Sequence, residues 1–297
     1  MERFFYYKNF WKEGYNMSFA KLTNKKKNVA PDAQKTLGQE LQERMAEFLD
    51  RDMFSLVIQP VLDFQTNTVF KGEVLSRLDH PERGVIFPDV FLPVIATLNL
   101  YSRFDRYIFQ KSCVWLQRSL AAGEKMECIS CNFSRKTLSE TTIAQDLIRI
   151  ANNYGVSHDK LAIEITEREK NNDEKQLIEN LHVLKEAGFR IILDDYGTGV
   201  TSVNDLLNYP LDIVKIDRSL LLNTQTEKGK EEFCALVSMF IERGAEVVCE
   251  GIETKEQNDF ARSSGCRYGQ GFLYFKPIRQ DQVFEMIRKS SLLEGEV

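Results

Sequence analysis

Eight short apolar runs recur from residue 55 onward, and they narrow the possible folds more than any other feature of the chain. They read as strands: SLVIQPVL (55–62), TVFKGEVLSR (68–77), ECISCNF (127–133), LAIEIT (161–166), RIILDD (190–195), IVKID (213–217), EVVCEG (246–251) and YGQGF (268–272). Helical patterns separate most of them, at 101–121, 143–154, 174–187, 201–208, 229–243 and 255–264, and one more follows at 281–289. Such alternation predicts an α/β fold, and eight units in about 240 residues predict a TIM (β/α)8 barrel. A doubly wound open sheet shares the alternation, but no G-x-G-x-x-G or G-x-x-x-x-G-K-[ST] segment supports a nucleotide-binding version of it. One connection is too short for the regular pattern. Only DFQTN (63–67) joins the first two strands, whereas a parallel crossover needs a dozen or more residues. The barrel is therefore expected to be a modified one with an antiparallel first strand.

The remaining chain adds little beyond this unit. Residues 1–38 read as an N-terminal extension with little independent structure, and 39–54 as a lead-in helix carrying Leu41, Met45, Phe48 and Leu49 at helical spacing. Residues 55–290 make the barrel and 291–297 a tail. A hydrophobic content of 43% supports a full core. The net charge of −5 and a pI near 5.5 argue against DNA or RNA polymers as partners. A small anion held by local cations or metals stays compatible with that balance. No run approaches the roughly 18 to 20 apolar residues of a membrane span, so no membrane insertion is expected. The aromatic start is broken by Lys8, Lys12 and Glu13, unlike a signal peptide. Six scattered cysteines suit a reducing cytoplasm. Cys128 and Cys131 form a C-x-x-C, but strand alternation sends their sulfurs to opposite faces, against a zinc or redox site. His80, His158 and His182 do not cluster.

In barrels of this class the C-terminal strand ends build the site. Those ends carry Glu73, Asn132, Glu164, Asp194 with Asp195, Lys215, Glu250 and Gln270. A single acid there is ordinarily a solvated strand end; groups on seven successive strands are not explained that way. Arg77 shares a face with Glu73, and Asp217 with Lys215. An oxygen-rich, histidine-poor set suits Mg²⁺ or Mn²⁺. Adjacent Asp194 and Asp195 could each reach one ion of a pair, an arrangement suited to phosphoryl transfer. Lys215 could orient or help deprotonate a water, and Arg77 could pair with a phosphate. Gly197 and Gly199 would let the following loop turn tightly.

These residues resemble the EAL family of cyclic di-GMP phosphodiesterases. The name motif stands as EVL (73–75), followed by HPERGVIFPDVFLPV (80–94), SCNFS (130–134), AIEITE (162–167), DDYGTG (194–199), VKIDRS (214–219), CEGIET (249–254) and YGQGFLYFKP (268–277). The resemblance implies cleavage of cyclic di-GMP to linear pGpG with two Mg²⁺ or Mn²⁺ ions. It implies that Glu73, Asn132, Glu164 and Asp194 ligate one metal and Asp195 the second, with Glu250 acting on a metal or its water. Lys215 matches the lysine that activates the attacking water, Gln270 a glutamine contacting metal-bound water, and Arg77 an arginine near a substrate phosphate. Glu167 and Glu253 match acids that brace the DDYGTG loop. A cytoplasmic homodimer is implied in the same way.

Three departures from the family pattern stand out. Val74 replaces the alanine of EAL but faces away from Glu73 by alternation. VTSVNDL follows GTG where the family often has Y-S-S-L, and IATLNL (95–100) replaces A-E-E-T-G. None of these touches an expected ligand. The alternative is a non-catalytic module that binds cyclic di-GMP or a protein; such members would be expected to lose ligands or the lysine. A barrel enzyme for another phosphorylated or carboxylated substrate would need only the strand-end acids.

Overall fold

In a computed structural model the chain is described over residues 36–166, 173–198 and 203–293. The described residues divide into two compact units, one within Met1–Ser55 and Ser76–Phe104, the other within Leu56–Leu75 and Asp105–Val297. The extension expected at 1–38 lies almost wholly outside the described residues, as do Glu167 and Gly199.

In the smaller unit, helix α1 (Leu37–Asp50) opens on a capping box in which Thr36 and Gln39 satisfy each other's backbone donors. It buries Leu41, Met45, Phe48 and Leu49, the four residues its period singled out. The helix closes at Asp50, short of residue 54, because Asp52 turns to φ 55°. Strand β1 (Phe54–Asp63) starts here and belongs to the larger unit from Leu56 on; β2 (Thr68–His80) returns to the smaller unit at Ser76, where its end pairs with the short antiparallel β3 (Gly84–Ile86). Helix α2 (Pro88–Thr97) starts on a proline, whose fixed φ suits a first turn. Phe54, Phe91 and Phe104 are buried and meet edge-on or tilted at 5.3 to 5.8 Å.

The larger unit runs through α3 (Tyr101–Ala121), β4 (Cys128–Phe133), α4 (Arg135–Leu138), α5 (Ile143–Asn153), β5 (Leu161–Thr166), α6 (Glu174–Glu186) and β6 (Arg190–Tyr196). It continues with α7 (Val203–Asn208), β7 (Ile213–Ile216), α8 (Arg218–Leu222), α9 (Glu227–Glu242), β8 (Glu246–Glu250), α10 (Lys255–Ser263), β9 (Tyr268–Gln270), β10 (Ile278–Arg279) and α11 (Val283–Leu293). Strands β2, β4, β5, β6, β7, β8 and β9 are parallel neighbours in that order. β1 lies antiparallel to β9 and also pairs with β2, closing an eight-stranded barrel. The modified barrel with an antiparallel first strand is thus what forms. β3 and β10 are short antiparallel additions.

The parallel strands are buried on both faces, as crossover helices require. Outward residues Leu193, Val214, Ile216, Val247 and Cys249 pack with Phe233, Val237 and Phe240 of α9. Inward, Cys128, Ala162, Ile192, Ile213, Val248 and Tyr268 form an apolar layer. Two residues further along the same strands stand Ser130, Glu164, Asp194, Lys215, Glu250 and Gln270. That period-two step lifts the polar ring to the C-terminal end of the barrel. Cys128 is part of the inner layer, whereas Cys131 bonds Ser112 of α3, so the two sulfurs do separate; all six cysteines are free thiols.

Candidate active site

The polar ring starts with the backbone of β6. Its register against β7 slips between Leu193 and Tyr196, leaving one extra residue, and Asp195 turns to φ 56°. Aspartate tolerates this left-handed region better than most residues. Strict alternation would send Asp194 and Asp195 to opposite faces. With the bulge, carboxylate oxygens of Asp194, Asp195 and Glu250 lie within 4.8 Å of one another. The next turn needs glycine: Gly197 has φ 101°, and a Cβ there would sit 2.3 Å from Leu220 Cδ1.

A second group, Glu73, Glu164 and Asp194, meets the same 4.8 Å limit. Lys215 is at its centre, with Nζ 2.8 Å from Asp194 Oδ1, 3.1 Å from Glu73 Oε2, 3.2 Å from Glu250 Oε1 and 3.6 Å from Glu164 Oε2. Gln270 Nε2 donates to Glu73 Oε2 at 2.7 Å, and Asn132 Nδ2 to Glu73 Oε1 at 3.3 Å. The expected ring residues Glu73, Asn132, Glu164, Asp194, Asp195, Lys215, Glu250 and Gln270 therefore converge. Glu73, Glu164, Asp194, Lys215, Glu250 and Gln270 are buried, so water screens their charges little.

The charges tune one another. Burial pushes Lys215 down, but Asp194, Glu164, Glu250 and Glu73 together hold it well above the usual lysine range. Burial raises Asp194 well above the usual carboxylate range, helped by Asp195, Glu250 and Glu164 and opposed by Lys215. Glu164 goes the other way: burial would raise it, yet Lys215 and Lys71 bring it down to about 2. Near-adjacent carboxylates with opposite shifts mark a site with one shared cation and more negative charge than it neutralises.

The donor set fits divalent metal. Against five carboxylates stand two ammonium groups, Lys215 and Lys71, a formal excess of three negative charges. The buried oxygens Glu164 Oε2, Asp194 Oδ1 and Gln270 Oε1 accept no aligned hydrogen bond; Lys215 reaches the first two through charge alone. Hard oxygen donors with unused lone pairs suit Mg²⁺ or Mn²⁺.

The other expected residues make local contacts. Arg77 belongs to the smaller unit, where its guanidinium lies 5.1 Å from the Phe87 ring centre and donates to Ser76 O. Glu253 pairs through both oxygens with Arg218, Nη2–Oε2 being 2.6 Å. Asp217 caps α8, accepting from Ser219 N at 2.7 Å. Two residues escaped the sequence reading: Arg218, and Lys71 on β2. Lys71 carried a usable signal, since it precedes Glu73 by two and so shares its face.

Comparison with known proteins gives a consistent picture. The family model described as "EAL domain" matches residues 39–277. The chain is 28% identical over 250 residues to "Cyclic di-GMP phosphodiesterase NbdA" of Pseudomonas aeruginosa, covering 84% of this chain and 32% of that protein. It is 29% identical over 233 residues to "Probable cyclic di-GMP phosphodiesterase PdeG" of Escherichia coli K12, covering 77% of this chain and 45% of the relative. The chain thus spans less than half the length of these relatives. The solved structure "PaMucR Phosphodiesterase, c-di-GMP complex" superposes with a TM-score of 0.75 at 25% identity, over 82% of this chain and 99% of that one.

Proposed function

The chain belongs to the EAL domain family, and on that premise we propose that it is a metal-dependent phosphodiesterase hydrolysing cyclic di-GMP to linear pGpG. The observation that carries this reading is the complete inward ring: Glu73, Asn132, Glu164, Asp194, Asp195, Lys215, Glu250 and Gln270 meet at one end of one barrel. A module that only binds the nucleotide would have no need to keep so much mutually repelling charge together.

Glu73, Asn132, Glu164 and Asp194 would hold one Mg²⁺ or Mn²⁺ ion and Asp195 a second, with Glu250 serving either. When bound, these ions supply Lewis acidity toward the scissile phosphodiester and a water nucleophile of lowered pKa. The protein's own contribution is placement. The bulge of β6 turns Asp195 beside Asp194 and Glu250. Lys215 Nζ is a positive donor within reach of four carboxylates; it would orient the attacking water and stabilise charge on the phosphate. Gln270 and Asn132 fix both oxygens of Glu73. Arg77 would pair with a substrate phosphate, Glu167 and Glu253 would brace the loop after β6, and the chain would act as a cytoplasmic homodimer.

The test is chromatography of cyclic di-GMP incubated with the protein and Mg²⁺ or Mn²⁺, beside Glu73→Ala. Appearance of pGpG only with the unaltered protein is expected. Unchanged nucleotide with either metal would refute hydrolysis and favour the binding module.

A further inference from the structure

Among the described residues two lysines are buried, and the reaction proposed above uses only one of them. The other, Lys71, is fully buried on β2 beside its register partner Cys128, within the apolar layer beneath the site. Packing does not call for an ammonium there. Its Nζ reaches upward instead, 2.7 Å from Glu164 Oε1 and 3.0 Å from Ser130 Oγ. Such charge-assisted bonds in a dry site are strong and directional.

Glu164 thus stands between two ammonium groups. Lys71 takes Oε1, while Lys215 lies 3.6 Å from Oε2. Lys215 faces Glu164 too, but it is shared with Glu73, Asp194 and Glu250. With Oε1 accepting from Lys71, Oε2 is the Glu164 oxygen whose lone pairs are unused, and Glu164 belongs to the Glu73–Glu164–Asp194 group. The fixed positive charge of Lys71 also opposes any second cation drawn to the same carboxylate.

We propose that Lys71 is a resident cation that competes with divalent metal for Glu164, so that the chain holds metal more weakly than its carboxylate set would by itself. Lys71 is a positioning residue in this scheme; it acts through Glu164. The inference rests on the metal-dependent reading given above. Its consequence is an activity that follows free metal concentration where a site without this lysine would be saturated.

The test is calorimetric titration of Mn²⁺ into the full 297-residue chain without nucleotide, paired with thermal unfolding with and without Mn²⁺. Lys71→Gln removes the charge but keeps a donor for Glu164; Lys71→Met removes both; Lys71→Arg keeps the charge. Both neutral variants should bind Mn²⁺ at least about tenfold more tightly than the unaltered chain, since an adjacent cation changes a carboxylate's affinity for a proton by about tenfold or more. Removing a group that merely holds a ligand in place instead weakens metal binding by about 10–100-fold. Their melting temperatures should also rise more on adding Mn²⁺, and Lys71→Arg should stay within about threefold of the parent. A merely structural role would weaken metal binding, not tighten it. Equal or weaker binding by Lys71→Gln overturns the inference while leaving the metal reading intact. No binding by the parent or any variant refutes the metal reading itself, and the inference with it. Neutral variants that fold only when Mn²⁺ is present support the competition, since the metal then replaces the ammonium. Variants unfolded under both conditions overturn it.

Discussion

Replacing Lys215 by methionine tests the electrostatics of the site most directly. The ammonium is 2.8 to 3.6 Å from four carboxylates. At an effective dielectric near 20, two unit charges about 3 Å apart attract by roughly 5 kcal/mol, so the gross attraction is on the order of 20 kcal/mol. Desolvating the ammonium costs several kcal/mol, and measured losses on removing one partner of a buried pair are about 3–5 kcal/mol. Methionine matches the length of the lysine stem, so the cavity term is small and the loss reports charge. We therefore expect Lys215→Met to lose about 3–5 kcal/mol, equivalent to a melting temperature lower by about 10 °C. Urea unfolding at neutral pH, followed by fluorescence of Trp115, which stacks on Phe284 at 5.6 Å, gives the number. Two conditions should shrink the loss. Lower pH protonates the uncompensated carboxylates, beginning with Asp194, whose folded form already favours the proton. Millimolar Mn²⁺ supplies positive charge and stabilises by mass action. A loss below about 1 kcal/mol at neutral pH would refute the reasoning, because the four contacts would then be worth no more than a surface pair.

Glu164 sets an acid limit of opposite sign. Its carboxyl is held at about 2 against an ordinary 4.5, so its stabilisation is complete above pH 4.5 and is lost as pH falls toward 2. Glu164→Gln should flatten stability against pH in that window; equal slopes in urea melts would sink this. Cys234, half-buried, should react with a disulfide reagent well before the other cysteines, since burial pushes Cys113 and Cys128 up to about 12. Two or more equally fast thiols in the native state would contradict the burial. Gly197→Ala should cost about 1–3 kcal/mol, from a left-handed φ and the contact with Leu220, and a neutral result in thermal unfolding would show that the turn relaxes freely.

Local rules made most of the barrel legible. The spacing of apolar runs located all eight barrel strands, and the five residues DFQTN were enough to require an antiparallel first strand. β3 and β10 were not legible, since strands of three and two residues carry no periodic signal. The ring at the strand ends was conspicuous because each polar residue interrupts an apolar run. The bulge that turns Asp195 beside Asp194 left no such mark: RIILDDY reads as an unbroken strand. Arg218 was missed because its partner Glu253 lies beyond β8, and helix-starting arginines are common on surfaces.

Parity and loop length are properties of neighbouring residues, so the sequence alone determined the strands, the hairpin and, Asp195 apart, the face on which each strand-end residue falls. Which charge meets which is a property of distance in space. Glu73 and Lys215 are 142 residues apart, and Lys71 and Glu164 are 93 apart. Closing the barrel brings them to 3.1 and 2.7 Å and removes the water that would screen them. Only that closure decided that one lysine serves four acids and that a second holds Glu164 from below, because Coulomb energy depends on separation and dielectric and not on order along the chain.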